Sequence, residues 1–135
     1  MPLTGSCLCG AIKVEIDIEL SEAKGTICAC YSCHKLNSCC SNNIMVPAAK
    51  TKITEGTPKT YKYTATGSGC PADYVFCGDC SCALWALPTG PGLNGMAAVK
   101  LGLLDQATSI KAANILFPEK LLPGFENLGA LPAFG

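Results

Sequence analysis

Gly5-Ser6-Cys7-Leu8-Cys9-Gly10-Ala11 runs directly into Ile12-Lys13-Val14-Glu15-Ile16-Asp17-Ile18-Glu19-Leu20, and this opening decides how the rest of the chain is read. Two thiols one residue apart stand between glycines, which permit the tight backbone curl that turns both sulfurs toward one ion. Apolar residues then occupy every second position from Ile12 to Leu20, with charged residues between them. That alternation is the mark of a strand with one buried face. A β domain carrying metal-ligand knuckles is the expectation.

A matching knuckle stands far down the chain. Phe76-Cys77-Gly78-Asp79-Cys80-Ser81-Cys82 closes a strand expected over 73–77. Cys7 and Cys9 with Cys77 and Cys80 supply four thiolates, enough to close a tetrahedron around a structural zinc and tie the N-terminal strand to the later sheet. Cys82 lies two residues from Cys80 and offers itself in its place.

The third cluster is Cys28-Ala29-Cys30-Tyr31-Ser32-Cys33. In an extended chain, residues two apart project to one face about 6.6 Å apart, so Cys28 and Cys30 can share an ion and a turn can bring Cys33 to it. Three protein ligands with a fourth place left open is the form of a catalytic zinc. A closed alternative draws its fourth ligand from Cys39, Cys40, Cys70, Cys82 or His34. His34 is the only histidine of the chain, and it cannot easily reach an ion held by its neighbour Cys33. A solvated or pocket-wall place is expected for it, with acid–base work as a role at the wall. Buried packing is the default for Cys39, Cys40, Cys70 and Cys82.

Composition narrows the classes of function. Basic and acidic residues number 10 each, leaving no net charge and no surplus to displace counterions from a nucleic acid. Eleven cysteines in 135 residues call for disulfides or metal. The opening residues lack the charged and then apolar pattern of a secretory signal, so a cytoplasmic setting, and with it thiolate ligation, is expected. No apolar run reaches the length of a membrane span. A small molecule is the expected partner.

Further short strands are expected at 26–30, 44–46, 52–54, 60–66, 83–87 and 96–104, separated by Gly- and Pro-rich turns. Residues 32–41 show no clean period and fit either a helical turn or a loop. Residues 106–135 look like a covering arm held by Leu116, Phe117, Leu121, Leu122 and Phe125.

Charge and ligand type give the third cluster its chemistry. Three thiolates on a divalent ion leave a formally anionic site, weak as a Lewis acid toward water yet ready to take a thiol and hold it deprotonated. Such a site suits a thiol that adds to a carbonyl carbon or leaves from the adduct.

The three cysteine motifs, in this order and at these separations, resemble those of the glutathione-dependent formaldehyde-activating enzyme family, which also includes the centromere protein V domain. Gly5-Ser6-Cys7-Leu8-Cys9-Gly10-Ala11, Cys28-x-Cys30-x-x-Cys33 and Phe76-Cys77-Gly78-Asp79-Cys80 carry the likeness, with Gly102-Leu103-Leu104-Asp105 and Leu131-Pro132-Ala133-Phe134 as weaker landmarks. The resemblance implies a mainly β fold, a zinc-stapled β-tent type single domain with short helical turns over residues 1–135, of which 106–135 form the arm. It implies two zinc ions per chain: a structural one on Cys7, Cys9, Cys77 and Cys80, and a catalytic one on Cys28, Cys30 and Cys33. It also implies a carbon–sulfur lyase that condenses glutathione with formaldehyde reversibly. His34 stands where the family has arginine, Ser38 and Ser81 where it has glycine, and Asn114 where it has histidine.

A zinc-dependent carbon–sulfur lyase acting on a glutathione or other thiol adduct of a small carbonyl compound is the leading expectation. One alternative keeps the zinc and uses His34 or a tyrosine on a non-glutathione substrate, in a dehydration, cyclisation or decarboxylation. The other is a non-catalytic zinc-stapled interaction module.

Overall fold

The structure is a computed structural model that describes residues 1–134. Among them the alternating segments form ten strands in two sheets. The small sheet joins β1 (Leu3–Ser6), β2 (Lys13–Ile16) and β5 (Thr51–Glu55) in the order β1-β2-β5, antiparallel throughout. The large sheet holds β3 (Gly25–Cys28), β4 (Ser41–Pro47), β6 (Lys59–Tyr63), β7 (Ala72–Phe76), β8 (Ala83–Pro88), β9 (Met96–Lys100) and β10 (Ala112–Leu116). Its order is β10-β3-β4-β9-β8-β7-β6, antiparallel except where β10 lies parallel to β3.

The period of two gives the central strands β4, β9, β8 and β7 one face toward the core and one toward the opposite side. Val75 pairs with Trp85, Trp85 with Val99, and Val99 with Ile44, so one apolar row crosses four strands. That row packs with Leu3, Val14 and Ile16 of the small sheet in one buried cluster. Each of these large side chains contributes about 1.5–3 kcal/mol by leaving water. The neighbouring row faces the other way: Tyr74 pairs with Ala86, Ala86 with Ala98, and Ala98 with Met45. One step further along, Thr26 pairs with Asn43 and Asn43 with Lys100.

The N-terminal strand is fixed by a close backbone approach. A Cβ on Gly5 would stand within 3.1 Å of backbone atoms of both Leu103 and Leu104, and Gly5 bridges Leu104. The Asp105 N–H donates to the Thr4 carbonyl at 2.8 Å and the Thr4 hydroxyl to the Asp105 carboxylate at 2.7 Å. Gly102-Leu103-Leu104-Asp105 therefore acts as the seat for β1, with Leu103 and Leu104 buried.

Several segments differ from the sequence expectation or sharpen it. The strand expected over 12–20 ends at Ile16, because Glu19 and Glu22 form a capping box and start a 3-10 turn at Leu20, which is exposed. The strand expected over 60–66 ends at Tyr63, and the one expected over 96–104 ends at Lys100 before a 3-10 turn over Leu101–Leu103. The segment without a period contains the helix α1 (Tyr31–Asn37). The arm is more than a cover, since it supplies β10.

Candidate metal centres and the cavity beside them

The first knuckle forms where β1 ends. The Cys7 N–H donates to the Ile12 carbonyl and the Gly10 N–H to the Cys7 carbonyl, both at 3.0 Å, with Gly10 at φ 79°, a conformation that favours glycine. The second knuckle follows β7, where the Cys77 N–H donates to the Cys82 carbonyl and the Ser81 N–H to the Cys77 carbonyl. These two curls bring the sulfurs of Cys7, Cys9, Cys77 and Cys80 to within 4.8 Å of one another. Cys82 stays outside the group, its thiol donating to the Ala83 carbonyl.

The second cluster is built by a strand end and a helix start. Cys28 closes β3, Cys30 is the residue that precedes the first turn of α1, and Cys33 lies in that turn. Their sulfurs also lie within 4.8 Å of one another, and no fourth cysteine, histidine or carboxylate among the described residues joins them. Cys39 and Cys40 approach each other instead, at 3.7 Å.

Zinc bound by sulfur at about 2.3 Å in a tetrahedron needs sulfurs about 3.8 Å apart. Cys7 to Cys9 is 3.6 Å, Cys9 to Cys77 is 3.8 Å, and Cys30 to Cys33 is 3.4 Å. All eleven cysteines are free thiols. Both clusters therefore fit a thiolate-binding metal such as zinc, one with a full donor set and one with three donors.

The surroundings favour ionisation of Cys7 and Cys80 in the first cluster and of Cys33 in the second. Backbone N–H groups of Cys9 and Cys82 lower Cys80 to about 6. Hydrogen bonding from Cys28 lowers Cys33 to about 5 against the opposing effect of burial, with help from Ser41, Cys30 and the Lys100 charge. Cys28 is pushed up correspondingly by Cys33 and by burial. Hydroxyls complete the second cluster: Ser32 Oγ is 3.2 Å from Cys30 Sγ and Ser41 Oγ 3.2 Å from Cys33 Sγ. Asn43 Nδ2 donates to Ser41 Oγ at 2.9 Å, and all three of these polar residues are buried.

The three-thiol cluster opens on a cavity of about 300 Å³ on the site face of the large sheet. Its floor includes Asn43, Ala86, Ala98 and Lys100, and Tyr63 stands at its wall. The turn around Gly67 packs against both Cys30 and Phe117, so the loop after β6 and the arm close over the cluster together. The arm thus walls the cavity through Leu116 and Phe117. Cys70, without a role from its spacing, also lines it. Burial and the nearby cysteine sulfurs push Tyr63 up to about 12, so its hydroxyl keeps its proton. Burial lowers the Lys100 ammonium, while the Cys33, Cys28 and Cys30 thiolates oppose that shift.

His34 is not among the lining residues, so of the two expected places, solvated or pocket-wall, the second is not the one it takes. Successive helix positions turn by roughly 100°, so with Cys33 committed to the cluster the next side chain is carried away from it. Its Nε2 is buried without a partner among the described residues. Asn114 lies exposed on β10. The lining residues that sequence reasoning missed are Ser32, Ser41, Asn43 and Lys100. Only the last two carry a signal, since the period of two puts them on the face opposite Ile44 and Val99.

Comparison with known proteins agrees with this architecture. A family model described as "Glutathione-dependent formaldehyde-activating enzyme" matches residues 2–120. A crystal structure of a Rhodobacter sphaeroides protein, a structural-genomics target, is similar in fold, with a TM-score of 0.58 at 16% identity over 82% of this chain and 99% of that one. No curated protein matches the chain. No helix among the described residues is long and apolar enough to cross a membrane.

Proposed function

The chain belongs to the glutathione-dependent formaldehyde-activating enzyme family, and from that membership we propose a zinc-dependent carbon–sulfur lyase that joins a thiol such as glutathione to a small carbonyl compound, and separates them again, in the cavity beside Cys28, Cys30 and Cys33. The observation that carries the reading is the contrast between the two clusters. Four thiols converge in one, whereas three converge in the other at the mouth of a cavity.

Cys7, Cys9, Cys77 and Cys80 hold the structural zinc in this reading, and Cys28, Cys30 and Cys33 hold the catalytic one. Zinc in the three-thiol site would supply an open coordination place that draws in a thiol and favours its deprotonated form. The chain's own groups do the rest. Ser32 and Ser41 hold the Cys30 and Cys33 sulfurs by hydrogen bonds, and Asn43 fixes Ser41, which keeps the cluster in one geometry. The loop around Gly67 and the Phe117 ring limit water. As the carbon–sulfur bond forms, the carbonyl oxygen gains negative charge, and Tyr63 Oη gives it a proton. The proton that the thiol released on binding balances this one through solvent. In the reverse direction Tyr63 takes the proton back and the bond breaks. His34, outside the cavity lining, has no step in this scheme.

Exchange of formaldehyde between its free and glutathione-bound forms, followed by nuclear magnetic resonance in the zinc-loaded protein, tests the proposal. Acceleration by the wild type and none by Cys30→Ser is the expected result. No acceleration by the wild type with glutathione or any small thiol would overturn it.

A further inference from the structure

Lys100 is the only cationic side chain among the residues lining the cavity, which include no carboxylate. The ion pairs among the described residues join Met1 to Glu19, Lys13 to Glu55 and Lys62 to Asp73, so no carboxylate neutralises it. Its Nζ lies 5.7 Å from the centre of the Tyr74 ring, a contact that steadies a cation without consuming its hydrogen-bond donors. On the adjacent strand, Asn43 is its direct register partner. Asn43 is 6% exposed, spends its Nδ2 on Ser41, and leaves Oδ1 buried with no partner among the described residues. A buried amide oxygen without a partner is a site awaiting a donor.

We infer that Lys100 and Asn43 form an anchor for one carboxylate of a thiol substrate, with Asn43 Oδ1 accepting from an N–H or O–H group beside that carboxylate. The inference rests on the thiol reading of the three-cysteine cluster and deepens it. The substrate class becomes a thiol acid whose sulfur reaches the Cys28, Cys30 and Cys33 cluster while its carboxylate reaches the β4–β9 floor. A lysine ammonium is a compact point charge with rotatable donors, suited to a single carboxylate. The glycine end of glutathione, an amide N–H next to a carboxylate, has this pattern, as do smaller mercaptocarboxylates. The competing role for Lys100 is to balance the negative charge of the thiolates, which would make it indifferent to the substrate's carboxylate.

The test is calorimetric binding of 3-mercaptopropionate and its methyl ester to the zinc-loaded protein, a pair in which a methyl group removes the carboxylate charge and leaves the thiol in place. The acid is expected to bind about tenfold more tightly than the ester, as a charge-assisted hydrogen bond gives. In Lys100→Met the acid should fall to the level of the ester, with zinc content unchanged. Asn43→Asp, which sets a carboxylate beside Lys100, should remove the preference too, and it serves if Lys100→Met does not fold. Equal binding of acid and ester by the wild type overturns the anchor and leaves the thiol reading intact. A Lys100→Met protein that binds both more weakly by the same factor, or loses zinc, assigns Lys100 to charge balance and overturns the anchor as well. If neither compound binds, the thiol reading falls and the anchor falls with it.

Discussion

Ser41 is a small hydroxyl at the start of β4, and its Oγ lies 3.2 Å from Cys33 Sγ while accepting from Asn43. Partners of this kind orient metal ligands and commonly change affinity by about 10–100-fold when removed. Ser41→Ala is therefore expected to weaken zinc at the three-thiol cluster by about tenfold in chelator competition, with the four-thiol cluster unaffected. Tyr63→Phe removes the proposed proton donor and should lower kcat by about 100-fold with little change in KM. An unchanged kcat would remove Tyr63 from the chemistry. Ser38 and Ser81 sit at φ 75° and φ 60°, where the resemblance leads one to expect glycine. Glycine takes positive φ without the Cβ clash, so Ser38→Gly is expected to raise stability by about 1 kcal/mol in chemical unfolding. At this scale the cysteines were legible because thiol spacing is itself a signal. Ser41 and Ser32 were not, since a serine beside a ligand looks like any other serine until the backbone folds. His34 does not line the cavity, because the helix turns its side chain away from the one at Cys33.

The strands were readable wherever one face is buried. Val14 and Ile16 on β2, and Val99 on β9, alternate with polar or small neighbours, and the structure confirms their faces. The ends were harder, because the alternation runs past the point where local turns take over, at Glu19 and at Leu101. Helix α1 carries no apolar stripe and begins after Cys30, which makes no side-chain cap hydrogen bond, so neither a period nor a start signal marked it. β10 is mostly exposed and owes its form to parallel pairing with β3, a long-range contact that no local pattern announces. Gly5 shows how an element can depend on one residue. Gly5→Ala would set a methyl against the Leu103 carbonyl and is expected to cost roughly 1–3 kcal/mol in thermal or chemical unfolding. A neutral outcome would mean that β1 can shift off its seat.

Over the whole molecule, two cysteine clusters able to hold a metal ion lie in different settings, and the proposed function gives stability to one and chemistry to the other. Cys7 and Cys9 follow β1 of the small sheet, while Cys77 and Cys80 follow β7 of the large one, so an ion held by all four ties the sheets together. Structural zinc sites contribute on the order of 10 kcal/mol to small domains. Cys77→Ser is accordingly expected to unfold the protein, whereas Cys30→Ser should stay folded, keep one zinc and lose activity. The reverse pattern would exchange the two roles. The most direct test of the open site is zinc-edge X-ray absorption on metal-loaded protein prepared without added thiol, recorded before and after glutathione is supplied. The number of sulfur neighbours per zinc should rise when the thiol takes the open place. An unchanged number, with both ions fully surrounded by sulfur from the start, would contradict the account.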